Sequence, residues 1–313
     1  MFYCDEIIFS ATTKCNLECS HCFVSRNNFQ LDIEECKNFI SSCLNTNDDK
    51  CNIEKIGFSG GEPFLYLNFI TEICSFSIKN ELMFDRLMTN GDWWKTKTEL
   101  QEKLQKLYDS GFDGKIGLSY DIFHGQKTER IFTFIKNVYE IFNDTSCVEI
   151  LCVYPRFNKN NKNKHKLFLK ELKILQKNLK KIFPSIYLNI ITFPQSFSST
   201  QNDRVTKWKD KKWFLDDLCQ NTGNIFFVHA DGNIAPCCGF ANENPELFIG
   251  TIKDSADILM KNAQKNKMLN HCFNTGLGHL QKTMQNNGHI FPGKTNDMCL
   301  FCDYICNLNV EKL

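Results

Sequence analysis

Through the first two thirds of the chain, short apolar runs alternate with longer stretches whose apolar positions recur every three or four residues. The runs at 6–12, 53–59, 82–89, 115–120, 147–154 and 186–193 read as strands. Between the first two, Ile33, Cys36, Ile40, Cys43 and Leu44 mark a helix over 32–44, with Asp32 and Glu35 spaced as a capping box. Leu100, Leu104, Leu107 and Tyr108 mark another, stopped by Gly111. Ile131, Phe134, Ile135, Val138, Ile141 and Phe142 mark a third, and 167–182 a fourth. Strands alternating with helices imply parallel βαβ units. Six strands are too few to close an eight-fold barrel, so the expectation is an α/β chain folded as an open, partial (β/α)6 barrel. Folds of this kind carry their chemistry on loops at the carboxyl ends of the strands.

Past Phe193 the alternation stops. Residues 194–202 are polar and turn-rich, which suggests a boundary between a domain over 1–200 and a smaller one over 201–313. In the second part, the apolar runs 225–230 and 234–237 flank Asp231-Gly232-Asn233 as a hairpin would. A helical stretch near 258–269 and a final group of cysteines complete it.

Composition narrows the class. Hydrophobic content of 42% with 28 Phe supplies ample core for 313 residues. Lys+Arg of 37 against Asp+Glu of 36 gives net +1, so global charge argues for neither a nucleic acid nor a membrane surface as partner. No run of 18 apolar residues occurs, and the N-terminus lacks the basic segment and apolar core of a signal peptide. A cytoplasmic location is expected. The 17 cysteines are too few for a disulfide scaffold of this length, and in a reducing compartment clustered thiols more often mean metal.

The first strand is followed by Cys15-Asn16-Leu17-Glu18-Cys19-Ser20-His21-Cys22. Three thiolates from one short loop can hold three irons of a [4Fe–4S] cluster and leave the fourth without a protein ligand. A zinc loop or buried structural thiols are the plainer accounts of the same spacing. The second strand ends in Ser59-Gly60-Gly61-Glu62-Pro63, where two glycines admit close backbone approach and a carboxylate can receive an ammonium. The third ends in Thr89-Asn90-Gly91 and the fourth in Ser119-Tyr120-Asp121; alone, these are an Asn-Gly turn and a capping Asp.

Together these motifs resemble the radical S-adenosylmethionine (SAM) superfamily, whose hallmark is Cys-x3-Cys-x2-Cys, with His21 in place of the usual aromatic. The resemblance implies that Cys15, Cys19 and Cys22 hold a [4Fe–4S] cluster and that SAM completes its coordination. Gly60, Gly61 and Glu62 would meet the SAM amino group. Asn90, Ser119 and Asp121 would bind its other polar groups, the last two near the ribose or the substrate. Reduction of SAM by the cluster would release a 5′-deoxyadenosyl radical, with an electron donor of flavodoxin or ferredoxin type.

A second set of thiols is Cys219, Cys237, Cys238, Cys299, Cys302 and Cys306. Cys299-Leu300-Phe301-Cys302 can chelate from a single turn, and Cys219 with one of the Cys237-Cys238 pair would complete four thiolates for an auxiliary [4Fe–4S] cluster. A zinc knuckle has similar spacing. On an extended segment adjacent side chains point to opposite faces, so one of the pair should ligate while the other faces away. Asp231-Gly232-x-x-x-Pro236-Cys237-Cys238 with a late CxxC resembles the SPASM/Twitch extensions of peptide-modifying radical SAM enzymes. The likeness is narrower still to the radical SAM peptide epimerases, through Ser119-Tyr120-Asp121-x-x-His124, Thr192-Phe193-Pro194 and His229-Ala230-Asp231-Gly232. It implies Cys237 as ligand, Cys238 as hydrogen-atom donor and a ribosomal precursor peptide as substrate. Cys306 and the insert between Cys272 and Met298 depart from that pattern. The rivals are a thioether or carbon–carbon cross-linking maturase, and a non-catalytic zinc scaffold.

Nine lysines between Lys159 and Lys181 read first as a solvated helix face and second as a docking surface for an acidic peptide. Trp93-Trp94 suit core or cleft, and His124 a satisfied loop residue or a substrate contact. Cys36, Cys43, Cys74, Cys147 and Cys152 lie on apolar faces and are expected in the core.

Overall fold

The structure is a computed structural model describing residues 2–155, 159–194, 208–215, 218–219 and 224–308. The boundary expected over 194–202 lies, from 195 on, outside the described residues. The six expected strands form, as β1 (Cys4–Ser10), β2 (Cys51–Ser59), β3 (Met83–Thr89), β4 (Lys115–Ser119), β5 (Val148–Tyr154) and β6 (Asn189–Pro194). They alternate with α1 (Ile33–Leu44), α2 (Leu67–Lys79), α3 (Lys97–Asp109), α4 (Thr128–Phe142) and α5 (Lys159–Ile182). The α2 helix was not singled out by the sequence, although Phe69, Ile70, Ile73, Cys74 and Ser77 line its buried face at helical spacing. A four-residue 3-10 turn over Pro63–Tyr66 leads into it and blurs its start.

By mutual contact the chain divides into two units. One comprises 9–33 and 55–195 and contains the alternating part. Its strand order is β6-β5-β4-β3-β2, with each neighbouring pair from β2 to β6 parallel. The pairing of a parallel, two-faced sheet with helices is that of a partial barrel. Its core includes Phe58, Leu87, Ile116, Leu118, Phe134 and Ile150, all fully buried. Gly111 ends α3 as expected: its φ of 83° is one that L side chains rarely adopt, and its N–H donates to Tyr108 O at 2.9 Å.

The other unit comprises 1–8, 34–54 and the segment from 196 onward. The expected hairpin is present as β7 (Ile225–Val228) antiparallel to β8 (Asn233–Ala235), with Phe227 opposite Ala235 and Gly232 at φ 87°. The N-terminal part of β1 lies beside β7 in the strand order, and β8 pairs onward with β9 (Gly250–Thr251). The helical stretch expected at 258–269 is two helices, α6 (Ala256–Lys265) and α7 (Lys267–Asn270), because Asn266 leaves the helix and its side chain caps the second at Leu269 N. After α8 (Leu277–Asn286), the CxxC opens α9 (Met298–Cys306). Trp213 and Phe291 pack against Phe301 of this helix, and Trp208 stacks on Phe291.

Cys36, Cys43, Cys74, Cys147 and Cys152 are all buried, as their spacing implied. Trp93 is a core residue stacked on Phe64 at 4.3 Å, whereas Trp94 carries the Arg130 guanidinium over its ring at 3.8 Å. Among the described residues, no helix is long and apolar enough to cross a membrane.

Candidate functional site

The cysteine loop is closed at its base by a double clamp of threonines. Thr13 N–H donates to Phe29 O at 3.0 Å while Phe29 N–H donates to Thr13 Oγ1 at 2.9 Å, and Thr12 Oγ1 donates to Phe29 O at 3.0 Å. Inside, Arg26 donates to Leu17 O and the Leu17 N–H points to Cys15 Sγ at 3.4 Å. Cys15, Cys19 and Cys22 are all partly exposed and unbridged. Burial, then the neighbouring thiols, push Cys19 up to about 12, and burial also raises Cys15. Three thiols that repel one another's thiolate charge are ones a cationic iron cluster would hold deprotonated.

The Gly-Gly-Glu segment is laced to this loop through its backbone. Ala11 N–H donates to Ser59 O at 3.0 Å, Gly61 N–H to Thr12 O at 2.6 Å and Glu62 N–H to Lys14 O at 2.8 Å. A Cβ on Gly60 would stand 2.5 Å from Thr12 O, and one on Gly61 2.3 Å from Lys14 O. The close approach that the glycines permit is thus to the chain's own cysteine loop. Glu62 is fully buried. Its Oε1 accepts from Phe64 N–H at 3.1 Å and Thr89 Oγ1 at 2.8 Å, and its Oε2 from Asn90 N–H at 2.8 Å. Burial raises its pKa to about 7 against the pull of these donors.

Asn90 continues the network. Its Nδ2 donates to Asn16 Oδ1 at 2.9 Å and lies 3.8 Å from Cys15 Sγ, so the end of β3 reaches the cysteine loop. Gln126, which the sequence reading passed over, donates to both Asn90 O at 2.6 Å and Ser119 O at 2.8 Å and ties the ends of β3 and β4. Asp121 is buried and accepts from His124 Nδ1 and Phe123 N–H, each at 2.8 Å, and from Val153 N–H at 3.0 Å. Burial works against its charge, but His124 and these donors hold it below the usual carboxylate range. His21 sits with its ring 4.9 Å from that of His124, and burial lowers it to about 4, so it is neutral at pH 7. The structure therefore brings Cys15, Cys19, Cys22, Gly60, Gly61, Glu62, Asn90, Ser119 and Asp121 to one end of one unit, with His21 and His124 among them.

The second set of thiols gathers in the other unit, in two neighbouring groups. Cys237 is perturbed by burial and by Cys299, Cys238 and Cys219. Cys302 is raised instead by the neighbouring thiols of Cys272 and Cys306 and by burial, which all three share. Cys272 escapes the sequence reading because no second cysteine stands near it in the chain; α9 brings Cys302 and Cys306 to it in space. The adjacent pair behaves as an extended segment requires: Cys237 is buried and Cys238 exposed. Among the described residues, His21, Asp121 and His124 offer ligand atoms within 4.8 Å of one another.

Gly239 makes room between two of these thiols. Its N–H donates to Cys237 Sγ at 3.3 Å, and a Cβ there would stand 2.8 Å from Cys299 Sγ and 3.6 Å from Cys237 Sγ. Its φ of −72° suits any residue, so Gly239→Ala acts through crowding alone. If Cys219, Cys237, Cys299 and Cys302 hold a second cluster, anaerobic reconstitution of that variant would yield about four irons and four sulfides per chain against about eight in the parent. Equal content in variant and parent would detach Gly239 from the site.

A family model described as a 4Fe-4S single cluster domain matches residues 7–131. YydG of Bacillus subtilis strain 168, whose name assigns it to peptide biosynthesis, is 24% identical over 250 residues, covering 79% of this chain and 71% of its own. RSAD2 of Siniperca chuatsi, an S-adenosylmethionine-dependent nucleotide dehydratase, is 33% identical over 98 residues, 29% of this chain and 26% of its own. Across the curated relatives, the share of their own length that is matched runs from 26% to 71%. Among solved structures, histidine-tagged anSMEcpe with bound AdoMet is similar in fold, with TM-score 0.52 and 17% identity over 97% of this chain and 95% of that one.

Proposed function

We propose that this chain, of the radical SAM superfamily, converts L-residues of a ribosomally made precursor peptide into D-residues. What supports the peptide as substrate is the likeness to YydG over 79% of the chain. What supports inversion is the pair Cys237 and Cys238, one buried among thiols and the other exposed. In this reading residues 1–200 carry the radical chemistry, residues 201–313 the auxiliary cluster, and the enzyme works in the cytoplasm.

Bound together, a [4Fe–4S] cluster and SAM supply a 5′-deoxyadenosyl radical. Cys15, Cys19 and Cys22 hold that cluster, and the clamp at Thr12, Thr13 and Phe29 fixes their loop. Gly60, Gly61 and Glu62 shape the wall beside it, and Asn90, Ser119 and Asp121 present polar groups from the neighbouring strand ends. Cys219, Cys237, Cys299 and Cys302 hold the auxiliary cluster, with Cys272 and Cys306 beside Cys302. An L-residue of the peptide would lose its Cα hydrogen to the 5′-deoxyadenosyl radical, giving 5′-deoxyadenosine and a Cα radical, and Cys238 would return a hydrogen atom to it. Its S–H bond breaks as the new Cα–H bond forms on the opposite face, which leaves a thiyl radical. One electron and one proton restore the thiol, the electron coming from a donor of flavodoxin or ferredoxin type.

The thiol exchanges its hydrogen with solvent, so reaction in heavy water is expected to place one deuterium on each inverted α-carbon. Peptide mass in ordinary water is unchanged, whereas a cross-link would remove two hydrogens. Inverted product without solvent deuterium, measured by mass spectrometry, would overturn the reading.

A further inference from the structure

The α5 helix holds nine lysines and one glutamate, a net +8 in a chain whose net charge is +1. Lys162 and Lys166, Lys166 and Lys170, Lys173 and Lys177, and Lys177 and Lys181 stand four apart, where like charges on a helix destabilise it. A solvated face disperses its charge with acids; this one does not. Along the same helix Leu167 and Ile174 are 60% and 57% exposed. Lys173, Lys177 and Lys180 line an open groove of about 410 Å³ with Ile186, Tyr187 and Leu188, and the Tyr187 ring stands 76% exposed on it.

The groove has a direction. Residues 186–188 run straight into β6, which is parallel to β5 and ends, like the other strands of its unit, at the edge that carries the cysteine loop. Six residues of strand span roughly 20 Å. A peptide held by its acidic part in the groove and extended along β6 would be led toward the edge of the sheet that carries the cluster site. We propose that this groove docks an acidic segment of the peptide substrate bearing aliphatic or aromatic side chains, separate from the residues that are changed. The proposal rests on the peptide reading given above.

The test is binding without chemistry. The probe is a fluorescein-labelled peptide of about 12 residues alternating Glu with Leu and Tyr, which extended reaches about 40 Å. Its anisotropy is followed with the reconstituted full chain at about 50 and 300 mM salt. Lys173→Glu/Lys177→Glu/Lys180→Glu is expected to weaken binding at least about tenfold at low salt, and Tyr187→Ala by about threefold. Cleavage of SAM without peptide should be unchanged in both. Should the triple reversal fail to fold, the Gln triple at the same positions serves, with a smaller loss in the same direction. Equal binding by parent and variant, equal binding of a Gln-for-Glu probe, or stronger competition by anionic vesicles or single-stranded DNA than by unlabelled probe overturns the proposal. Failure here leaves the epimerase reading standing, because Cys238 plays no part in the measurement.

Discussion

Replacing Cys238 by alanine is expected to abolish the D-product while leaving 5′-deoxyadenosine release intact. The side chain is exposed, so its removal leaves no cavity and the fold should be indifferent. Its neighbour Cys237 lies buried with Cys299 and Cys219 around it and, in the proposed reading, would keep its place as a ligand. The loss should therefore fall on the return of hydrogen alone, with product formation down by more than about 100-fold, as expected when a reacting group is deleted. Single-turnover assays with chiral analysis of the peptide measure it. The companion change Cys237→Ala should instead lower the iron content. Wild-type yields of D-residue from Cys238→Ala would remove this thiol from the reaction.

The second large effect concerns Glu62. Its folded pKa of about 7 stands above the ordinary value of 4.5 because the carboxylate is buried. Between those two values the folded chain keeps a proton that the unfolded chain has released. Stability from this group is thus full below pH 4.5 and declines as pH rises to 7, by about 3 kcal/mol in all. Glu62→Gln removes that slope, since an amide does not titrate. The same substitution turns one oxygen into an NH2 facing Asn90 N–H, Phe64 N–H or Thr89 Oγ1, and an orphaned buried donor costs about 1–3 kcal/mol. The variant should be less stable than the parent at pH 5, with the gap narrowing toward pH 7. Urea titrations of the metal-free chain at both values measure this; parallel pH profiles for the two proteins would contradict it.

Much of this site could be read from spacing alone. Cys15, Cys19 and Cys22 are fixed relative to one another by chain length, and Gly60-Gly61-Glu62 by its place at the end of a strand. The six strands were legible because each is a short apolar run between helical periods, and their order follows from βαβ handedness. What escaped was whatever depends on atoms meeting from distant parts of the chain. Gln126 bridges two strand ends through carbonyls, which leave no mark in a sequence. Cys272 joins Cys302 and Cys306 only because α9 folds back on it. Glu62 could be anticipated as important, but its three donors come from Phe64, Thr89 and Asn90, and only the fold shows that its carboxylate is already engaged. Gly239 is one glycine among 16 until the sulfurs on either side of it are located.

The unit that carries the second set of cysteines also owns residues 1–8 and 34–54. A gene fragment beginning near residue 196 would produce β7 without the N-terminal strand that lies beside it. Such a fragment should be insoluble or unfolded, because the edge of β7 that β1 covers would be left unpaired. Any excision that respects the fold would have to carry residues 1–8 and 34–54 along with the segment from 196 onward.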